Sequence, residues 1–111
     1  MIKTEHQEQV DFINLFKVMY RDVIIFAIPN GGLRHIAVAK KLKKEGVLSD
    51  VPDLFVPQWF LWIEMKKEKG GVLSEPQKKM ISALKSFGYQ VIIAYGSLDG
   101  IKKVQKFLKN N

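Results

Sequence analysis

The sequence contains no cysteine among its 111 residues. Disulfide bonds and thiolate metal ligands are therefore excluded, and the two histidines cannot by themselves complete a closed zinc site. Uncharged apolar runs are all shorter than the roughly 18 residues that a membrane span needs, and the N-terminus lacks the apolar stretch of a secretion signal. We expect a cytoplasmic protein, and any metal ion would have to be bound by oxygen atoms.

The composition is that of an ordinary globular protein, with 47% hydrophobic and 26% charged residues. The length favours one domain over residues 1–111. A net charge of +7 favours a polyanionic partner, such as nucleic acid or an acidic membrane surface. The tract 46–65 is the exception, because it has three acids and no Lys or Arg: Asp50, Asp53 and Glu64. Acids within a basic surface suit metal-assisted phosphodiester chemistry, although a chance scatter of charges explains the composition equally well.

Hydrophobic periodicity predicts an α/β fold with the element order α-β-α-β-β-α-β-α, in which helices flank a small mixed sheet. The predicted elements are a helix over 4–20, a strand over 23–28, a helix over 34–45, a hairpin over 51–66, a helix from Ser74, a strand over 90–95 and a helix after Gly96 and Ser97. Thr4 with Gln7 resembles a capping box, which supports the start of the first helix.

The same patterns predict which residues face the core. Both short apolar segments, 23–28 and 90–95, are typical of buried strands. The helical positions expected to face or border the core are Ile36, Ala37, Ala39, Lys40 and Leu42, then Met80, Ile81, Leu84 and Phe87, and finally Leu98, Ile101, Val104, Phe107 and Leu108.

Charged residues occur where strands normally avoid them, at Asp53, Glu64 and Lys66. Side chains alternate along a strand, so Glu64 and Lys66 should share one face of the hairpin. If the strand of Asp53 pairs with that of Glu64, the two carboxylates repel unless a divalent cation such as Mg²⁺ lies between them. The spacing alone is weak evidence, because an exposed hairpin with a surface Glu/Lys pair fits it slightly better.

Over nearly its whole length, the sequence resembles the VRR-NUC family of the PD-(D/E)xK nuclease superfamily. The segments that carry the resemblance are TEHQEQ, IPNGG, KKEGV, DVPDLFVP, LWIEMKKEKGGVLSEPQ and GYQVIIAYG, and the block 51–77 is the most specific. The resemblance implies a restriction-endonuclease-like core and a DNA endonuclease that depends on Mg²⁺ or Mn²⁺. The chain looks like the standalone, phage-type members, and this resemblance implies a homodimeric enzyme that acts on four-way (Holliday) junctions.

The resemblance also implies roles for particular residues. The matched positions are Asp53 and Glu64 as metal ligands, Lys66 as the catalytic lysine, Gln77 as the glutamine that opens the next helix, and Glu5 ahead of Gln9 as the early helical acid. We expect the backbone carbonyl of Met65 to complete the metal site, Lys66 to position or activate water, and Gln77 to orient either. One departure is Asp50, where many members have glycine.

Several of these residues have simpler explanations. Gln77 lies three residues after Ser74, so its role could be limited to a capping box; support of the site is about equally expected, and both can hold together. Glu5 lies in a first helical turn, where the helix dipole favours any acid, and Glu8 is a second candidate on that helix. The rival function is a non-catalytic nucleic-acid-binding module.

Basic and aromatic residues are candidates for contacts with DNA. The residues expected at the DNA backbone are Asn30, Arg34, Lys40, Lys41, Lys43 and Lys44. Trp59, Phe60 and Trp62 could fill the core, stack on bases or contact a second subunit, and core filling is expected for at least one of them. Trp62 shares the strand face of Glu64, so we expect it to wall the site. A symmetric junction requires two active centres, which a two-fold homodimer supplies most simply.

Overall fold

The structure is a computed structural model that describes residues 2–29 and 36–111. Helices and strands follow one another in the predicted order within these ranges. The elements are α1 (Glu5–Met19), β1 (Phe26–Ala27), α2 (Ile36–Lys44), β2 (Leu54–Val56), a 3₁₀ turn (Pro57–Trp59), β3 (Leu61–Lys66), α3 (Glu75–Ser86), β4 (Gln90–Tyr95) and α4 (Ser97–Lys109). None of the described helices has both the length and the apolarity required to cross a bilayer.

The four strands form one mixed sheet in the order β1-β2-β3-β4. β1, β2 and β3 pair antiparallel, and β2 with β3 forms the predicted hairpin. β4 runs parallel to β3, and the chain returns between them through α3, because parallel neighbours require a crossover connection. The mixed sheet flanked by helices confirms the predicted fold class.

One face of the sheet packs against α1 and α4. Phe12 and Phe16 of α1 and Val104 of α4 are fully buried there, as are the alternate residues of β3. These core-facing residues of β3 are Leu61, Ile63 and Met65. Trp62, Glu64 and Lys66 therefore lie on the opposite face, because neighbouring side chains of a strand point in opposite directions.

Two helix starts follow the local sequence closely. The side chain of Thr4 accepts a hydrogen bond from the backbone N–H of Gln7, and the Gln7 side chain accepts one from the Thr4 N–H. Ser74 and Gln77 make the same reciprocal pair at the start of α3. Each pair satisfies two backbone N–H groups, which explains why both helices begin where the sequence predicts.

The predicted buried strand over 23–28 is wrong in both length and burial. Only Phe26 and Ala27 pair with β2, and both are exposed. β2 itself has three residues, so it offers little backbone for a longer partner. The N–H of Ile24 donates instead to Oε1 of Gln58, at 2.8 Å. An apolar, β-branched segment indicates strand propensity, whereas its length in the sheet depends on the partner strand.

Some predicted core positions are exposed. In α2, the described side chains are exposed apart from that of Leu42, which is half-buried. Phe87, the residue at which α3 ends, is 73% exposed, and Leu98, in the first turn of α4, is 70% exposed. β4 is half-buried except at Ala94 and the exposed Gln90, since β3 is its partner on one side only within the described sheet.

Candidate active site

Asp53 and Glu64 are brought together at one end of the β2–β3 hairpin. Asp53 immediately precedes β2, and its backbone carbonyl accepts a hydrogen bond from the N–H of Ile28 at 2.8 Å. Its Oδ2 accepts a hydrogen bond from the N–H of Met65 at 2.7 Å. The carboxylate of Asp53 is therefore fixed against β3, beside the residue that precedes Met65.

Glu64 is an acid in an unfavourable environment for negative charge. It is 3% exposed, and its pKa is raised from the ordinary 4.5 to about 8, with burial as the largest cause. The charge of Asp53 and a hydrogen bond with that residue contribute to this rise in pKa, whereas the Lys66 ammonium acts in the opposite direction. The carboxyl groups of Glu64 and the half-buried Asp53 therefore repel each other when both are ionised, and a bound cation would relieve that repulsion.

Lys66 and Gln77 form the second half of the cluster. Lys66 is 5% exposed, and its Nζ donates a hydrogen bond to Oε1 of Gln77 at 2.9 Å. Nε2 of Gln77 donates to Oε2 of Glu64 at 3.4 Å, and Lys66 Nζ lies 3.8 Å from the same oxygen. The Gln77 amide is thus placed between the lysine and the carboxylate.

Gln77 makes both of the contacts that were considered for it. The Oε1 atom that accepts from Lys66 also accepts from the N–H of Ser74 at 2.9 Å. The cap of α3 and the orientation of Lys66 therefore depend on one side-chain amide. A planar amide can serve both partners, because its oxygen has two lone pairs and its nitrogen still donates toward Glu64.

The loop after β3 passes very close to Lys66. A Cβ atom placed on Gly71 would lie 2.8 Å from the Cβ of Lys66 and 2.9 Å from the carbonyl oxygen of Lys67. Both distances are shorter than real contacts, so any side chain at position 71 would displace the loop or Lys66. The sequence marks this residue only as a chain break, and its role in placing Lys66 was not predicted.

The two acids of α1 occupy different surroundings. Glu5 is exposed, and its negative charge contributes to the raised pKa of Glu64. Glu8 is buried, and its Oε1 accepts a hydrogen bond from the N–H of Ser97 in α4 at 3.0 Å. The structure therefore directs the second candidate, Glu8, toward the start of α4. This contact spans 89 residues of sequence, and no local pattern indicates it.

Asp50 adopts a backbone conformation that favours glycine. Its φ angle is +70°, in the left-handed region, and its Oδ2 accepts a hydrogen bond from Oγ of Ser49 at 3.2 Å. Aspartate tolerates this region better than most residues, because its short side chain makes local hydrogen bonds. The departure at position 50 thus preserves the turn that leads into Asp53.

The donor set fits a divalent cation that prefers oxygen. Asp53 and Glu64 supply two carboxylates, which matches the small number of protein carboxylates that Mg²⁺ commonly uses. The N–H of Met65 points toward Asp53, and the carbonyl of the same residue points to the same side of the strand. Among residues 2–29 and 36–111, no three acids or histidines form a ready-made metal cluster. Water and phosphate oxygens would therefore have to complete the coordination.

The predicted DNA-binding and aromatic residues have separate locations. Asn30 and Arg34 lie outside the described residues. The four lysines of α2 are exposed: Lys40, Lys41, Lys43 and Lys44.

Trp59 packs against Phe16, Tyr20 and Phe107 beside the main core, which confirms core filling for one aromatic residue. Phe60 is 64% exposed.

Trp62 belongs to an aromatic group on the face of Glu64 and Lys66. Its ring lies 4.3 Å from that of Phe55 and 6.0 Å from that of Tyr89, measured between centroids. The indole N–H is buried and has no hydrogen-bond partner within the described chain. Apolar ring surface therefore continues from the charged cluster toward the other end of β3.

The chain is similar to a solved structure described as a VRR_NUC domain protein. The two share 27% sequence identity and superpose with a TM-score of 0.76, over 96% of this chain and 89% of the other. Neither a family model nor a curated protein sequence matches the chain. The similarity to a solved structure confirms the sequence-based resemblance and the restriction-endonuclease-like fold.

Proposed function

We propose that this chain, a VRR-NUC domain, is a metal-dependent endonuclease that hydrolyses phosphodiester bonds of DNA. The observation that carries the proposal is the cluster of the buried Glu64 and Lys66 with the half-buried Gln77 and Asp53. A cluster of this kind has an energetic cost, because two carboxyl groups and an ammonium lose water on burial. Perturbed ionisable groups of this type are concentrated at active sites, and the similar protein is described as a VRR_NUC domain protein.

The metal proposal assigns Mg²⁺, or Mn²⁺ in its place, to Asp53, Glu64 and the carbonyl of Met65. Glu5 would support the ion through water, because it is near enough for its charge to affect Glu64. The ion would supply Lewis-acid stabilisation of the negative charge that develops on the phosphoryl oxygens.

The remaining chemistry is assigned to this chain's own side chains. Lys66 positions the attacking water and places a positive charge beside the phosphoryl oxygens. Gln77 holds the Lys66 Nζ through the 2.9 Å hydrogen bond and keeps it 3.8 Å from Glu64. Water then adds to phosphorus as the bond to one sugar oxygen breaks; the water gives up one proton and the departing oxygen takes up one, so the net step consumes one water molecule.

The substrate we propose is branched DNA, bound by a two-fold homodimer of this chain. The net charge of +7 and the exposed lysines of α2 favour contacts with the DNA backbone. A four-way junction presents two equivalent strands, and a homodimer presents two equivalent sites to them. Apolar side chains such as Phe60 and Phe87 are exposed and available for contact between subunits.

The test is a cleavage panel that contains a four-way junction, a flap, a splayed arm and a plain duplex, each with and without Mg²⁺. We expect wild-type protein to cut branched DNA only with the metal, and Asp53→Asn to bind the same DNA without cutting it. A mass measurement in solution tests the dimer. Equal binding with no cleavage by either protein, with or without Mg²⁺ or Mn²⁺, would favour the non-catalytic binding module.

A further inference from the structure

Glu8 is a buried acid that the proposed reaction does not use. It is 4% exposed, and its carboxylate accepts a hydrogen bond from the N–H of Ser97, the first residue of α4. The N-cap of α4 is Gly96, which has no side chain to satisfy the first N–H groups of the helix. Glu8 therefore supplies from α1 the acceptor that a capping side chain would normally provide, and its negative charge suits a helix N-terminus.

The residue before Ser97 connects this contact to the catalytic strand. The N–H of Gly96 donates to the backbone carbonyl of Lys66 at 2.9 Å. Two consecutive peptide groups thus bind two partners, Lys66 through Gly96 and Glu8 through Ser97. Gly96 has a φ of +96°, and a Cβ atom there would lie 3.3 Å from Oε2 of Glu8, so the junction has little room for a larger residue.

Glu8 also ties the first turns of α1 to the start of α4. Glu5 is one helical turn before Glu8, and residues three apart lie on the same helix face. Further along α1, Phe12 and Phe16 anchor that face in the core. The hydrogen bond between Glu8 and Ser97 joins this face of α1 to the β4–α4 junction, one helical turn away from Glu5.

We propose that Glu8 is a positioning residue of the nuclease site. By binding the N–H of Ser97, it holds the first turn of α1 and so keeps Glu5 within reach of the metal ion proposed at Asp53 and Glu64. The inference rests on the proposed function, because it gives Glu5 a role at the metal. Its distinctive consequence is that Glu8 affects metal binding through Glu5, in addition to any effect on folding.

The test measures Mn²⁺ affinity of the folded protein by electron paramagnetic resonance, alongside thermal melting. Glu8→Ala should weaken Mn²⁺ binding by about 10-fold, the lower end of the effect seen when the partners of metal ligands are removed. Glu8→Gln should bind nearly as the wild type does, because its amide oxygen can still accept from Ser97. In the Glu5→Ala background, Glu8→Ala should cause no further loss of affinity.

Asp99→Ala is the matched control for the stability of α4. Asp99 accepts a hydrogen bond from the N–H of Tyr95 at the same junction, and it pairs with Lys103. Its loss should lower the melting temperature and leave Mn²⁺ affinity unchanged. If Glu8→Ala does not fold, Glu8→Asp replaces it, since its shorter side chain withdraws from Ser97 and should give a smaller loss of affinity.

Two results would overturn the inference. One is unchanged Mn²⁺ affinity in a folded Glu8→Ala or Glu8→Asp variant, and the other is an equal loss in the wild-type and Glu5→Ala backgrounds. Failure of the proposed function is separate, because wild-type protein would then neither bind Mn²⁺ nor cut DNA. Cleavage and Mn²⁺ binding by the wild type, with no effect of Glu8, would contradict only the positioning role.

Discussion

Two Glu–Lys pairs in this chain differ in both distance and burial. Glu64 and Lys66 lie 3.8 Å apart, with 4% and 7% of their side chains exposed. Glu75 and Lys78 lie closer, at 3.2 Å, but 77% and 55% of those side chains are exposed. The exposed pair is of the type worth between zero and about 1 kcal/mol, because water screens the charges.

The buried pair has the greater chemical consequence in spite of its longer distance. Burial removes water from Glu64 and, together with the nearby charge of Asp53, raises its pKa to about 8. Buried pairs often contribute little to stability, because desolvation offsets the attraction between the charges. The comparison therefore supports the proposal that Glu64 and Lys66 are kept together for chemistry, whereas Glu75 and Lys78 stabilise the start of α3 slightly.

The largest expected effect is on DNA cleavage by Lys66→Met. Methionine keeps the length of the side chain and removes its charge, so cleavage should fall by about 100-fold or more. Lys78→Met is the control and should stay within about twofold of wild type, because its pair is exposed. Single-turnover rates on a branched substrate measure both. Equal rates for the two variants would remove the functional distinction between the pairs.

The next effect is on the pH dependence of stability in the absence of metal. Below about pH 4.5, Glu64 is protonated in both the folded and the unfolded chain. Between about 4.5 and 8 the unfolded chain loses this proton while the folded chain retains it, so stability falls as pH rises through this window. Above about pH 8 this contribution is constant. Wild-type melting temperature should therefore fall more than that of Glu64→Gln between pH 5 and pH 9.

Two additions sharpen the pH experiment. Glu75→Gln, at the exposed pair, should follow the wild-type curve. Mg²⁺ should reduce the wild-type fall, because it stabilises the ionised form of Glu64 in the folded state. Parallel curves for wild type and Glu64→Gln would mean that Glu64 does not titrate in this range.

A smaller effect is expected at the loop that passes Lys66. Gly71→Ala adds a Cβ that would overlap Lys66, so it should destabilise the protein by roughly 1–3 kcal/mol and also reduce cleavage. Val72→Ala is the control, because Val72 is the next residue and is 75% exposed. Urea unfolding measures the free energies. A Gly71→Ala variant as stable and active as Val72→Ala would show that the close approach is unimportant.

The smallest effect is expected at Asp50, in the turn that leads to the proposed metal ligand Asp53. Asp50→Gly should raise the free energy of unfolding by about 1 kcal/mol or less, because glycine adopts φ = +70° without strain. Asp50→Ala should lower it, because alanine adopts that conformation with strain and loses the contact with Ser49. Urea unfolding of the three proteins gives the order, and a reversed order would contradict the account of this turn.

Sequence patterns predicted the elements that depend on local chemistry. The capping boxes at Thr4 and Ser74 fixed the starts of two helices, and alternation along β3 placed Glu64 and Lys66 on one face. The resemblance to the VRR-NUC family then identified Asp53, Glu64, Lys66 and Gln77 as a group, and the structure brings them together. Their catalytic roles stay predictions until cleavage is measured.

The features that were missed depend on contacts between distant segments. The short length of β1 follows from a three-residue β2, and the exposed Phe87 is the residue at which α3 ends. The contact between Glu8 and Ser97 joins opposite ends of the sequence, so periodicity cannot reveal it. A weak signal was present, because Glu8 lies four residues before the buried Phe12 on the apolar face of α1.

Equilibrium binding of Mg²⁺ by isothermal titration calorimetry tests the central claim most directly. We predict that wild type and Glu75→Gln bind the ion alike, and that Asp53→Asn and Glu64→Gln each lose most of this binding while remaining folded. Mg²⁺ binding of equal strength in all four proteins would contradict a metal site at Asp53 and Glu64.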